Sequence, residues 1–325
     1  MVDRFLTGTT NSKDLVYIVS FFLLLSSPFI FNFLQSNSIK SYGSIYLPIY
    51  LLVFVGLGFA WLSKGRFIAE VIFGNTTTAI QLYRDILIGT IFGAALISSL
   101  FIGTTFLTLF QAPIPFAIAP TAVATTPALI LLVVIGIFAP ETEESLRASF
   151  LVPTFTRLRL PIVLLFAGII TLALPGLYIL TVGFFIAAFI VGFSPQLQHK
   201  LFNKPIERHI IAILIAGIVF ALFHIYSYGS SPNVLSLMEG AFLFAVTSDM
   251  INWKLQSTIA SRIAHSINNS FILAYAVGIP LELAALVVII YALIIILIFK
   301  GGTFSIRGAN APSYNGGMNI QPSVY

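Results

Sequence analysis

Two adjacent glutamates, Glu143 and Glu144, lie inside an otherwise apolar stretch, and two histidines, His224 and His265, sit in two further apolar stretches. Ionisable side chains are costly in a bilayer, by roughly 3 kcal/mol or more each at mid-depth. Only 8% of the chain is charged, so charges spent in such positions point to chemistry. Around the carboxylates the sequence reads FAPETEESLRASF, residues 138–150. Pro140 is expected to kink or break the helix and to free backbone groups that need partners. Arg147 is four residues from Glu143 and three from Glu144, so it can pair with either. An arginine beside two carboxylates can hold one ionised and leave the other to exchange protons, which suits a general base. The competing reading is a buried ion pair that fixes helix packing, or a charged cluster at the end of a span.

The second polar position lies in FALFH, residues 220–224, where Phe220 and His224 are one helical turn apart. The third lies in HSINN, residues 265–269, where His265 and Asn269 are one turn apart and Asn268 can stand in for Asn269. Neighbouring His and Asn side chains can donate hydrogen bonds to a developing oxyanion. Taken singly, a satisfied packing histidine or an interhelical hydrogen bond explains each position as well. Three separate spans, each with a residue capable of catalysis, suggest convergence on one cavity.

The elements that would position these residues are membrane helices. The 325 residues are 58% hydrophobic, more than a soluble core needs. Ten apolar segments are expected at 15–34, 45–62, 86–110, 128–151, 160–174, 177–193, 209–228, 234–251, 258–278 and 281–299. The fifth and sixth are short for a bilayer and are separated by Pro175-Gly176, which predicts a tight hairpin. Continuous rather than alternating apolarity argues against a β-barrel. Residues 63–85 mix apolar and charged side chains and read as an interfacial segment. From Gly301 the chain is rich in Gly, Asn, Ser and Pro and reads as a mobile, disordered tail. Lys and Arg cluster on one side of these spans, and only Lys40 falls opposite, so both termini are expected to be cytoplasmic in a multi-pass cell-membrane protein. The first apolar segment is retained as a span rather than a cleaved signal. Without cysteine there is no thiol nucleophile, disulfide or Cys-ligated metal. The net charge of +5 reports topology and anionic lipid, not nucleic acid.

Remaining polar residues carry less. Glu239 and Asp249 read as helix-end charges, second partners of the site, or partners of Arg262. Glu141 reads as solvated or as a helix N-terminal charge, and Glu282 as the start of the last helix. No H-E-x-x-H pair is present, although Glu and His side chains also suit zinc. One difficulty is depth. His224 falls near the far end of its span and His265 near the start of its own. At about 1.5 Å rise per residue they would be more than about 10 Å apart in depth without tilt or a broken helix.

The order Glu-Glu followed by Arg, then Phe-x-x-x-His, then His-x-x-x-Asn resembles the CPBP family of intramembrane proteases, also called Abi, which includes the type II CAAX prenyl endopeptidases. The matching residues are Glu143-Glu144 with Arg147, Phe220 with His224, and His265 with Asn269. Pro140 and the run STIASRIAHSINN strengthen the likeness, which covers roughly residues 128–275. The family usually has three residues between the glutamate pair and the arginine, and here there are two. Alignment on Pro140 makes Glu143 the catalytic residue, whereas alignment on Arg147 puts Thr142 in that place.

The resemblance implies an all-α, polytopic transmembrane bundle. Its expected parts are N-terminal spans over 1–127, a catalytic bundle over 128–300 and a tail over 301–325. It implies a glutamic intramembrane endopeptidase that hydrolyses membrane-presented peptides, prenylated ones among them. Glu143 and His224 would activate water, with His265 and Asn269 as the oxyanion site and Glu144, Arg147 and Phe220 beside them. No cofactor or metal is implied, and the partners are membrane lipid and a peptide or protein substrate. The alternative is a catalytically inactive member of the same fold, acting as a scaffold or subunit of a membrane complex. A transporter is a third reading, disfavoured because the segments show no inverted repeat.

Overall fold

The computed structural model describes residues 73–74, 76–109, 126–172, 178–194, 196–197, 204–224 and 234–306. The first two expected spans, residues 63–72 of the interfacial segment, Pro175-Gly176 and the tail beyond residue 306 lie outside the described residues. Among the described residues every regular element is helical. α1 is Ala79–Leu109, so the last residues expected to be interfacial form its first turns. A nearly continuous helical run follows as α2 (Thr126–Val133), α3 (Ala139–Leu146) and α4 (Val152–Arg157), joined by π-helical segments at Val134–Phe138 and Arg147–Leu151. Then come α5 (Leu160–Leu172), α6 (Tyr178–Phe193), α7 (Pro205–Phe223), α8 (Val234–Leu255), α9 (Ile259–Val277) and α10 (Leu281–Ile306).

The expected kink at Pro140 takes a specific form. Each π-helical segment ends two residues before a proline, Pro140 in one case and Pro153 in the other. Proline lacks an N–H, and its ring clashes with the carbonyl four residues back. The wider π turn gives that carbonyl room while the helix continues. α10 continues to Ile306, so helix replaces the first residues of the expected tail. α7 ends at Phe223, five residues before the expected end of its span.

Among the described residues two helices are long and apolar enough to cross a membrane, Ala79–Ser99 within α1 and Leu281–Lys300 within α10. α5 and α6 are apolar but shorter, as expected, and pack against one another, with Thr181 donating to Thr171 at 3.0 Å in their interface. Large apolar side chains face outward along α6, including Ile179, Phe189 and Phe193. A continuous apolar exterior of this kind fits a lipid rather than an aqueous surround.

α9 is the central element, packed on α1, α10, α3 and α8. Its approach to α1 is close because Gly89 and Gly93 are one turn apart on the facing surface. A Cβ on Gly89 would lie 2.5 Å from the Ala260 carbonyl oxygen, and one on Gly93 would lie 2.8 Å from Ile267. Small residues that let backbones approach are a main source of helix association in lipid, where hydrophobic driving force is weak. α9 ends at Gly278, whose φ of +74° accommodates the left-handed cap, with the Ile279 N–H donating to the Ala274 carbonyl.

The beginning of α9 answers the depth difficulty. Residues 257–267 are all buried, so α9 starts inside the protein rather than at its surface. Arg262, expected among the cytoplasmic basic residues, is fully buried. Replacing Gly93 with leucine is expected to force α1 off α9 and to lower the thermal midpoint of the detergent-solubilised protein, at a cost of about 1–3 kcal/mol or more. A Gly183→Leu control, at a position with open space around it, should leave the midpoint unchanged.

Candidate active site

α3, α7 and α9 bring the glutamate pair and both histidines to one point. Glu143 Oε2 lies 3.7 Å from His224 Nε2 and 3.6 Å from His265 Nε2. These separations exceed direct hydrogen-bond range. Glu144 is fully buried and meets the other nitrogen of the His265 ring. Its Oε2 accepts from Arg147 Nη2 at 2.6 Å, and its Oε1 lies 3.0 Å from His265 Nδ1. Arg147 therefore takes Glu144 rather than Glu143 among the two pairings open in the sequence. The guanidinium is drawn to α8, where it donates to the Ala245 carbonyl at 2.9 Å and to Ser248 Oγ at 2.8 Å and forms an ion pair with Asp249. Asp249 thus serves Arg147, not Arg262, while Glu239 is exposed.

The histidine orientations follow from backbone accounting. α7 ends at Phe223, so the carbonyls of its last turn lack helical partners. His224 caps the helix, and its Nδ1 lies 2.8 Å from the Phe220 carbonyl. That oxygen can only accept, so Nδ1 carries the proton and a neutral ring presents its lone pair on Nε2. His265 is arranged the same way, with Nδ1–H directed at the Glu144 carboxylate. Two Nε2 lone pairs and the Glu143 carboxylate therefore face one another. Such a trio of acceptors calls for a donor between them, and water is the simplest one.

Asn269 is fixed by the same kind of accounting. In the π-helical turn before Pro140, the Ala139 N–H donates to the Val134 carbonyl. Continuing the series, the Pro140 nitrogen would donate to Ile135, but it has no hydrogen. Asn269 Nδ2 donates to this orphaned Ile135 carbonyl at 3.2 Å. An amide nitrogen carries two hydrogens, so one remains for another acceptor.

Phe220 lies at the centre of the site. Its ring is 4.4 Å from that of His224, and the Arg147 guanidinium carbon lies 5.2 Å from its centroid. Phe244 is an unforeseen neighbour, with its ring 4.9 Å from His265. Glu141 is not solvated as expected. Its carboxylate pairs with the buried Arg262 at 2.7 Å and accepts from the Tyr291 hydroxyl at 2.8 Å. The spacing of Arg262 from His265, three residues on one helix, was a legible hint that both face α3. Among the described residues no group of three or more His, Cys, Asp or Glu side chains is placed to hold a metal ion.

The described residues define a helical bundle, partly apolar enough for a membrane, with a carboxylate–imidazole centre in its interior. A family model described as type II CAAX prenyl endopeptidase Rce1-like matches residues 193–271. The matched segment falls within the stretch, roughly residues 128–275, whose motifs resemble that family. The matched segment holds His224 and His265, which face Glu143 from α7 and α9, together with Asn269. Neither the curated proteins nor the solved structures contain a significant match.

Breaking the Arg147 pair while leaving its carboxylates buried should be among the costliest single changes in the protein. Arg147→Ala is expected to destabilise by about 3–5 kcal/mol, read as a fall in thermal midpoint. Arg147→Ala combined with Glu144→Gln and Asp249→Asn should recover part of the loss.

Proposed function

We propose that the chain is an intramembrane endopeptidase that hydrolyses peptides presented at or within the membrane, CAAX-type prenylated peptides among them. The observation that carries this reading is the placement of one Glu143 oxygen within 3.7 Å of both His224 Nε2 and His265 Nε2. A water in that gap donates one proton to Glu143, with His224 Nε2 accepting its other hydrogen bond. As the water oxygen bonds to the substrate carbonyl carbon, the proton passes to the Glu143–His224 pair and the carbonyl oxygen becomes an oxyanion. Return of that proton to the departing nitrogen breaks the C–N bond and frees a new carboxyl and a new amine.

His265 and Asn269 form the oxyanion side. The second Nδ2 hydrogen of Asn269 is available to the oxyanion, with the first committed to Ile135. His265 becomes a donor at Nε2 when it holds a second proton, and Glu144 stabilises the resulting imidazolium through Nδ1. This resembles the carboxylate–histidine logic of hydrolytic triads, in which the acid orients and charges the ring. The apolar walls, including Phe220 and Phe244, exclude bulk water and strengthen each electrostatic contact. The expected architecture is multi-pass, with both termini cytoplasmic and spans preceding the catalytic bundle.

Glu143→Gln and His224→Ala are each expected to lower the turnover of a membrane-presented peptide by at least about 100-fold, with the thermal midpoint preserved. Proteoliposomes carrying the purified protein and a prenylated and unprenylated peptide library, analysed by mass spectrometry, provide the measurement. Cleavage unaffected by either substitution would contradict the reading. Absence of any cleavage would favour the scaffold alternative.

A further inference from the structure

α3 is held on two flanks. Arg147 ties one flank to α8, as described above. The other is tied by Arg262, whose side chain is fully buried and belongs to α9, one turn before His265. Its Nη1 pairs with Glu141 Oε1 at 2.7 Å and donates to the Glu141 carbonyl at 2.9 Å. Its Nη2 donates to Ser145 Oγ at 3.0 Å, and its Nε donates to Thr258 Oγ1 at 3.0 Å. Tyr291 of α10 donates to the remaining Glu141 oxygen. Glu141 and Ser145 are one turn apart on α3, and Glu143 projects from roughly the opposite face of that helix. α9 therefore grips α3 twice, through Arg262 at Glu141 and Ser145 and through His265 at Glu144.

We propose that Arg262, with Glu141 and Tyr291, is a positioning device that sets the rotation and height of α3 and so the distance from Glu143 to the two imidazoles. The proposal rests on the hydrolytic reading above for its kinetic consequence, but not for its structural one. The guanidinium's planar fork fixes two points on α3 at once, which a lysine's single ammonium cannot do. Geometric precision matters at such a centre, because a misplacement of about 1 Å costs on the order of 100-fold in rate. Arg262 holds Glu141 and Ser145, so its effect on Glu143 runs through α3.

The test uses the full-length protein in proteoliposomes and the variants Arg262→Lys, Arg262→Met, Glu141→Gln and Tyr291→Phe. Arg262→Met should lower kcat about 100-fold with KM within about threefold of wild type, because alignment rather than substrate binding is lost. Arg262→Lys should recover part of that loss, and Tyr291→Phe should show the smallest effect. A second readout needs no activity. The chain has four histidines, so ring nitrogen NMR of the labelled protein can resolve His224 and His265. Arg262→Lys and Glu141→Gln, the milder variants, should shift the Nε2 signals of these two rings and leave His209 unchanged. Unchanged His224 and His265 signals in folded variants would overturn the proposal, as would an Arg262→Met enzyme within threefold of wild-type kcat. Should the wild type show no Glu143-dependent cleavage, the hydrolytic reading fails, and the ring signals alone decide the positioning role.

Discussion

Charge in an apolar bundle has to be balanced inside the bundle, and this constraint organises the rest. Two arginines, Arg147 and Arg262, are almost completely removed from solvent. Each buried guanidinium brings five donors that need acceptors, and each finds a carboxylate on the short helix carrying Glu141, Glu143 and Glu144. Arg147 takes Glu144 and crosses to α8, and Arg262 takes Glu141 beside Tyr291 of α10. The central carboxylate, Glu143, has neither arginine as its partner and faces the imidazoles. Ion pairs of this kind contribute little net stability, since desolvation offsets attraction. Their effect is to specify one arrangement of α3, because any other leaves a charge uncompensated.

Backbone groups left without helical partners provide the second organising element. The end of α7 frees the Phe220 carbonyl, and His224 turns its Nδ1 to meet it. Pro140 frees the Ile135 carbonyl, and Asn269 meets that one. In each case a gap in the helical hydrogen-bond series helps to orient a polar side chain. The π-helical turns are thus part of the site's geometry and not irregularities beside it. The glycines of α1 complete the frame by letting α9 sit deep, with His265 and Arg262 in the interior.

Much of the site was legible as a pattern of residue types. Glutamates at 143 and 144 and histidines at 224 and 265, each in an apolar stretch, already implied convergence, and they do converge. The one-residue-short spacing to Arg147 left two alignments open, and no pattern could decide between them. The pairing of Arg147 itself depends on Ser248 and Asp249, about 100 positions away, which draw it across to α8. Glu141 does stand in the first turn of α3, but its partners were missed for a similar reason. A glutamate after a proline looks like a helix-start charge, and its true partners, Arg262 and Tyr291, belong to α9 and α10. Helix positions were read to within a few residues in most cases. The early end of α7 was not, because no Gly or Pro follows His224 directly to mark a stop. The apparent depth conflict arose from assuming that every helix starts at the membrane surface, whereas α9 starts buried.

The central claim is that water, held by Glu143 and His224, attacks the peptide carbonyl directly with no covalent protein intermediate. Rapid-quench intact-mass analysis of the purified protein turning over a prenylated peptide in ¹⁸O-labelled water tests it in one experiment. The account predicts one ¹⁸O in the new product carboxyl and no acyl adduct on the protein at any time, with or without hydroxylamine. An acylated protein species that forms and decays at the rate of turnover would contradict it.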